Sequence, residues 1–286
     1  MPQTVLVIGS LHYDIMIAAP GLPRLDETLA GTDWSPKFGG KGGNQAVAAA
    51  RLGTARMLGA VGADSFGDFM RAGLTAGNVQ NGFVQIAAAP TGISVAIVDK
   101  NGDYGAVTVS GANLHIDFVA LTDTALWSNV GVLLLQNEVP EALNLAAAKA
   151  ARARQIPVIL NAAPSRVLGA EFASLVDILV VNALEAEMMG TAPVNDLRTA
   201  AHAAETLAAR FAAVIVTAGS AGLAAWSALD EAFFEPAETV VVVSTHGAGD
   251  AFTGTLAASV AQGATLQQAS NIASKAAAHH VAGSPI

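Results

Sequence analysis

Cysteine is absent from the 286 residues, which excludes disulfides and thiolate metal sites and fits a reducing compartment. Charged residues are scarce, at 13% against 52% hydrophobic ones, and acidic groups outnumber basic ones to leave a net charge of −9. An acidic surface argues against nucleic acid as a partner, while a local basic pocket for a phosphorylated ligand stays open. No apolar run approaches the roughly 18 residues of a membrane span. The first ten residues carry no basic group ahead of their apolar run, and Gly9 and Asp14 interrupt that run, so no signal peptide is expected. The expected location is the cytoplasm, with no membrane partner.

A chain of this length suits a single α/β domain with an insertion, and its abundant alanine suits helices packed closely on a sheet. Residues 239–263 organise the reading. Val240, Val241, Val242 and Val243 form a β-branched run that predicts a strand, and 251–262 has the small, apolar spacing of a packed helix. Gly247, Ala248 and Gly249 lie between them. A tight turn before a helix start aims backbone N–H groups at one point, where the helix dipole favours an anion. Asp250 stands at the edge of this cradle. A carboxylate there is unfavourable unless it takes a proton from a nucleophile, which makes Asp250 the candidate general base; a plain helix N-cap is the competing reading.

Upstream, Thr4–Ile8 predicts a buried strand ending in Gly9-Ser10-Leu11-His12-Tyr13-Asp14. If the extended conformation continues, His12 and Asp14 share a face at a strand end, where α/β sheets bind ligands. Pro20, Gly21, Pro23, Gly31 and Pro36 then predict short strands and turns projecting from the main sheet. Residues 38–46, Phe-Gly-Gly-Lys-Gly-Gly-Asn-Gln-Ala, lead into a helical 47–52. Four glycines in five positions let a backbone approach a ligand, and Lys41 and Asn44 can hydrogen-bond hydroxyls; a flexible hinge is the bland alternative. This is not a Walker A loop, because no Ser or Thr follows Lys41.

Residues 54–62 predict a strand and 64–73 a helix carrying Phe66 and Phe69. Two β-rich runs, 91–98 and 104–109, flank Asp99-Lys100-Asn101-Gly102-Asp103, a hairpin signal. With 18–36 this hairpin is expected to build a small sheet, giving lid segments near 11–36 and 91–110. Beyond 129, strands at 132–135, 158–161, 178–181 and 214–217 alternate with helices at 140–154 and 196–211, which predicts a parallel sheet with right-handed crossovers. Asn137, Glu138, Asn161, Asn182, Glu185, Thr217 and Ser220 follow or end those strands and argue for a site along one sheet edge.

In this order the motifs resemble the ribokinase-like family, also called the pfkB carbohydrate kinases, over essentially the whole chain. Residues 38–52 resemble its N-terminal signature, 245–250 its G-A-G-D signature, 182–185 its N-x-x-E motif and 217–222 its nucleotide-contacting T-x-G-x-x-G turn. The resemblance implies a three-layer α/β fold with a mostly parallel sheet and a small lid sheet. It implies phosphoryl transfer from ATP to a sugar hydroxyl, with Mg2+ bridging the phosphates. Asp250 matches the base, and Gly247, Ala248 and Gly249 match an anion hole. His12, Asp14, Gly40, Lys41, Asn44 and Glu138 fall at sugar positions; Asn182, Thr217, Gly219 and Ser274 fall at nucleotide positions; Glu185 is placed near Mg2+, acting through water or phosphate.

Gly-Gly-Lys-Gly-x-Asn-Gln-Ala resembles the ribokinase branch, so the resemblance implies an unphosphorylated, pentose-like sugar as substrate. A nucleoside, which His12 and Tyr13 would contact through its base, is the alternative. A sugar- or nucleotide-binding protein without turnover is a further one. A homodimer through the lid sheet is also expected. Two departures bear on this. His12 stands where that branch has Asn, and Ser244 stands where it has an Asp that helps hold an activating monovalent cation, so a weak response to K+ is expected. His279 and His280, adjacent on a helix, point in different directions and read as surface or packing groups.

Overall fold

The computed structural model describes residues 3–99, 104–228 and 232–283. Its first part runs β1 (Thr4–Ile8), β2 (His12–Ala18), β3 (Asp33–Gly39), α1 (Lys41–Leu52), β4 (Thr54–Gly62), α2 (Ser65–Ala76), β5 (Gln80–Ala87), β6 (Gly92–Val98) and β7 (Tyr104–Val109). Alternating units follow: β8 (Val130–Gln136), α3 (Glu141–Arg152), β9 (Val158–Asn161), α4 (Ala170–Ala173), β10 (Ile178–Asn182), α5 (Ala183–Met188), α6 (Leu197–Leu207) and β11 (Ala213–Thr217). The chain closes with β12 (Leu223–Ser227), β13 (Phe233–Glu235), α7 (Ala248–Ala261) and α8 (Leu266–Val281).

Nine strands form the main sheet in the order β13-β12-β11-β10-β9-β8-β1-β4-β5, parallel throughout except for the antiparallel β12 and β13. Alternation along β1 shows why it is a three-layer fold. Val5 and Val7 point into one core with residues of α1, α2, α7 and α8, while Leu6 and Ile8 point into the other with α3 and α6. Leu6, Leu133, Leu134 and Leu135 are wholly buried, and each such side chain stabilises the fold by about 2 kcal/mol. Among the described residues no helix is long and apolar enough to cross a membrane.

A second sheet, β3-β2-β6-β7, stands apart, with β2 parallel to β6 and the other pairs antiparallel. Its register separates two faces. His12, Asp14, Gly39, Lys37, Gly92 and Ser94 share one; Tyr13, Ile15, Ile17, Phe38, Trp34, Val95, Val107 and Val109 share the other. Tyr13 anchors the second face to α2, stacked on Phe66 at 4.2 Å and edge-on to Phe69 at 4.9 Å. Farther out, Trp34, Val107 and Val109 are exposed.

The expected small sheet of hairpin plus 18–36 is present, although its Asn101-Gly102 turn lies outside the described residues. Three expectations need correction. Residues 240–243 are not a strand: Val241, Val242 and Val243 are exposed, and Val243 N–H donates only to the Val281 carbonyl of α8. They follow β13, and among the described residues no strand pairs with them, so β propensity has nothing to act on. The glycine cluster is not a loop, because α1 begins at Lys41 and encloses Gly42 and Gly43. There the lack of side chains serves packing, since a Cβ on Gly42 would lie 2.6 Å from Ser10 N. Finally, His12 and Asp14 share a face in extended chain as expected, but on β2 of the separate sheet and not as a continuation of β1, because Gly9-Ser10-Leu11 turns the chain.

Candidate active site

The C-terminal ends of β8, β9, β10 and β11 open on one edge of the main sheet, facing the N-termini of α1 and α7. An open cavity of about 190 Å³ lies there, lined by Lys41, Asn161, Ala163, Val180, Val181, Asn182, Glu185, Thr217, Gly247, Gly249, Asp250, Phe252 and Thr253. Strand ends and helix starts converge at this edge because every parallel strand points the same way.

Gly247 forms the cradle's corner. Its φ of 81° and ψ of −1° place it in the left-handed region, where a side chain is strained. Ala248 N–H turns back to the Thr245 carbonyl at 3.3 Å. Gly249 and Asp250 occupy the first turn of α7, where N–H groups have no intrahelical carbonyl to bond. A helix start of this kind binds phosphate.

Asp250 is buried, 8% exposed, and its carboxylate accepts two side-chain hydrogen bonds: Asn44 Nδ2 to Oδ2 at 3.1 Å and Gln45 Nε2 to Oδ1 at 2.9 Å. Burial pushes its pKa up; Lys41 and the Gln45 and Asn44 bonds pull the other way. Lys41 acts on Glu185 too, whose pKa burial also raises. Asn182 and Glu185 form a reciprocal capping box at the start of α5, Asn182 N–H donating to Glu185 Oε2 at 2.9 Å and Glu185 N–H to Asn182 Oδ1 at 2.8 Å. The N-x-x-E motif therefore has a local structural cause as well as a place on the cavity wall.

On the far side of Lys41 a polar group gathers under the small sheet. Gly40 caps α1 with φ 83° and no side-chain bond, and its Cβ would lie 2.7 Å from His12 N. Glu138, two residues past β8, supplies the missing cap: its Oε2 accepts from Lys41 N–H at 2.8 Å and from the Ser10 hydroxyl. His12 Nδ1 is 3.8 Å from the same oxygen. Burial holds the His12 pKa down, with Glu138 opposing and Lys41 assisting, so the ring is neutral at pH 7 and this contact is not an ion pair. Asp14 is pushed up to about 6 by burial and by Glu138, against Lys37. His12 Nε2 and Asp14 Oδ1 are buried with no hydrogen-bond partner among the described residues. Two orphaned polar atoms on the inward face of a sheet fit a ligand rich in hydroxyls.

Sequence-predicted residues thus meet in two adjoining groups, Lys41, Asn182, Glu185, Thr217, Gly247, Gly249 and Asp250 around the cavity, and His12, Asp14, Gly40, Asn44 and Glu138 beside it. Three stand apart from the cavity wall. Ala248 is not among its lining residues, Gly219 opens a 3-10 turn after β11 with open space beside it, and Ser274 lies in mid-α8. Tyr13 is committed to the aromatic contacts with α2, which leaves only His12 of that pair on the sheet face with Asp14, beside Glu138. His280 Nε2 lies 2.8 Å from the His246 carbonyl oxygen, a packing role. Sequence reasoning missed Ser10 and Gln45. Had α1 been started at Lys41, the four-residue spacing would have put Gln45 on the same helix face.

A family model described as pfkB family carbohydrate kinase matches residues 2–284. The chain is 31% identical over 282 residues to the ribokinase of Haemophilus influenzae, covering 97% of this chain and 92% of that one. It is 36% identical over 259 residues to the ribokinase of Mus musculus, covering 88% and 80%. In structure it is similar to Arabidopsis thaliana ribokinase complexed with ribose and ATP, with a TM-score of 0.90, 27% identity and coverage of 98% and 93%. The chain belongs to the pfkB family of carbohydrate kinases.

Proposed function

We propose that the protein transfers the γ-phosphoryl group of ATP to a hydroxyl of an unphosphorylated, ribose-like sugar. The observation that carries this reading is Asp250: a buried carboxylate at the start of α7 that lines the open cavity and lies within electrostatic reach of Asp14 and Glu138. Burial raises its affinity for a proton, as a general base working near neutral pH requires. Asp250 takes the proton from the sugar hydroxyl, whose oxygen attacks phosphorus as the bond to ADP breaks. The Gly247–Gly249 turn and the first-turn N–H groups of α7 stabilise charge on the moving phosphoryl group. Lys41 neutralises charge between the two halves of the site. The small sheet acts as the lid that keeps water out.

The residues present fit Mg2+ held largely by phosphate. Among the described residues no cluster of three or more His, Cys, Asp or Glu forms a cage, and Mg2+ typically needs only one or two carboxylates beside phosphates and water. Glu185, with Asn182, would hold it through water or phosphate, and the ion would neutralise phosphate charge. Ser244 offers a hydroxyl rather than a carboxylate, so K+ is proposed to activate weakly.

The test is an ATP-consumption screen over pentoses, hexoses, ketoses and nucleosides, with Asp250→Asn alongside. A ribose-like sugar should be the preferred acceptor, and Asp250→Asn should fold and bind ligands while turnover falls by roughly 10²- to 10⁴-fold. Near-normal turnover in that variant would remove Asp250 as the base, and a preferred nucleoside would move the substrate class.

A further inference from the structure

We infer that Gln45 is a positioning residue for the base: its buried amide holds Asp250 Oδ1 and leaves Oδ2 to receive the proton of the attacking hydroxyl. The inference rests on the reading of Asp250 above. Gln45 sits on α1 with no solvent exposure, and both of its amide hydrogens and its amide oxygen are engaged. Its two amide hydrogens go to Asp250 Oδ1 at 2.9 Å and Asn161 Oδ1 at 3.0 Å, and its Oε1 accepts from Gln136 Nε2 at 2.8 Å. Asn161 Nδ2 continues the chain to the Val180 carbonyl at 3.2 Å.

Sheet register builds this relay. Gln136 and Asn161 are directly paired across β8 and β9, and Asn161 and Val180 across β9 and β10, so two strand ends present their side-chain amides to one helix and the third strand anchors Asn161. Close packing of α1 on α7 brings the amide to the carboxylate; a Cβ on Gly254 of α7 would collide with the Gln45 carbonyl. Turning the Gln45 amide over would set its oxygen against the oxygens of Asp250 and Asn161, so the orientation is locked. Oδ2 has a different neighbour, Asn44, whose side chain belongs to the sugar side of the site. As the hydroxyl oxygen bonds to the γ-phosphorus and ADP leaves, its proton passes to Oδ2.

A donor on Oδ1 stabilises the carboxylate against the effect of burial. Removing it should therefore move the acid limb of kcat to higher pH, which a packing role would not do. Gln45→Met keeps the shape and removes both donors. The expected result is a fall in kcat of about 10- to 100-fold, the equivalent of one hydrogen bond to a charged group, with an acid limb raised by about one pH unit and no matching change in KM. Gln136→Met, which frees the Gln45 oxygen without touching Asp250, should shift the limb the same way by less.

An unmoved acid limb in Gln45→Met overturns the inference, whether or not kcat falls. If Gln45→Met does not fold, an unmoved limb in Gln136→Met overturns it instead. Measured beside Asp250→Asn, the outcomes separate: an inactive Asp250→Asn with an unmoved Gln45→Met limb removes the inference alone, while an active Asp250→Asn removes the base.

Discussion

His12 and Asp14 are buried side chains whose unpartnered atoms face the same space, and their chemistry differs. Asp14, with a pKa pushed up to about 6, accepts a hydroxyl hydrogen bond as an anion, so sugar affinity should fall as pH drops below about 6. Stability moves oppositely. Asp14 binds its proton more tightly folded than unfolded, so its contribution is fully present below the unfolded value near 3.8 and is lost as pH rises through about 6. Asp14→Asn should therefore gain melting temperature over the native protein above pH 6, not at pH 4, while losing sugar affinity; a pH-independent difference in Tm would contradict the assignment. His12 presents an imidazole where the sequence resemblance leads one to expect an Asn amide. His12→Asn should shift kcat/KM toward ribose relative to the preferred substrate by about 10- to 100-fold, the value of one buried hydrogen bond to a ligand. An unchanged ratio would show that His12 does not read the substrate.

At the scale of elements, the site depends on how α7 begins. The expected strand before it is absent, so a loop held by two hydrogen bonds to the Val281 carbonyl of α8 delivers the chain to Gly247. Conformational demand falls on Gly247, not on Gly249, which has no positive φ and open space at its Cβ. Gly247→Ala should lose about 1–2 kcal/mol from left-handed strain, and its Cβ would lie 3.0 Å from His280 Nε2. Turnover should fall with it, because the N–H groups it aims would move. Urea denaturation and kcat measure the two effects; Gly249→Ala is the control, with stability unchanged. Helices α1 and α5 show the same economy: both start at the sheet edge, and in both a carboxylate accepts a backbone N–H at the helix start, Glu138 from Lys41 in α1 and Glu185 from Asn182, the N-cap of α5.

At the scale of the molecule, the small sheet sets its inward face over the site and leaves Trp34, Val107 and Val109 exposed on the other. An apolar face of this kind suits a second copy of the chain, the homodimer that the sequence leads one to expect. Trp34→Glu should turn a dimer into a monomer in sedimentation, and an unchanged mass would place the interface elsewhere. Much of this architecture was legible in the sequence. Strand–helix alternation from 129 onward and the hairpin 91–109 rest on local periodicity and turn chemistry, and the glycine turn with Asp250 reads as an anion cradle wherever a helix follows. Propensity misled at Val240–Val243, because a strand exists only where a neighbour offers its hydrogen bonds, and that is a property of the sheet. The start of α1 was missed because glycines read as breakers until the close approach of Ser10 explains them. The chain by itself determined which residue types stand at the site. Tertiary structure alone decided that Gln136, Asn161 and Gln45 meet Asp250, because strand register and helix packing join residues up to 205 positions apart, and no local pattern records that.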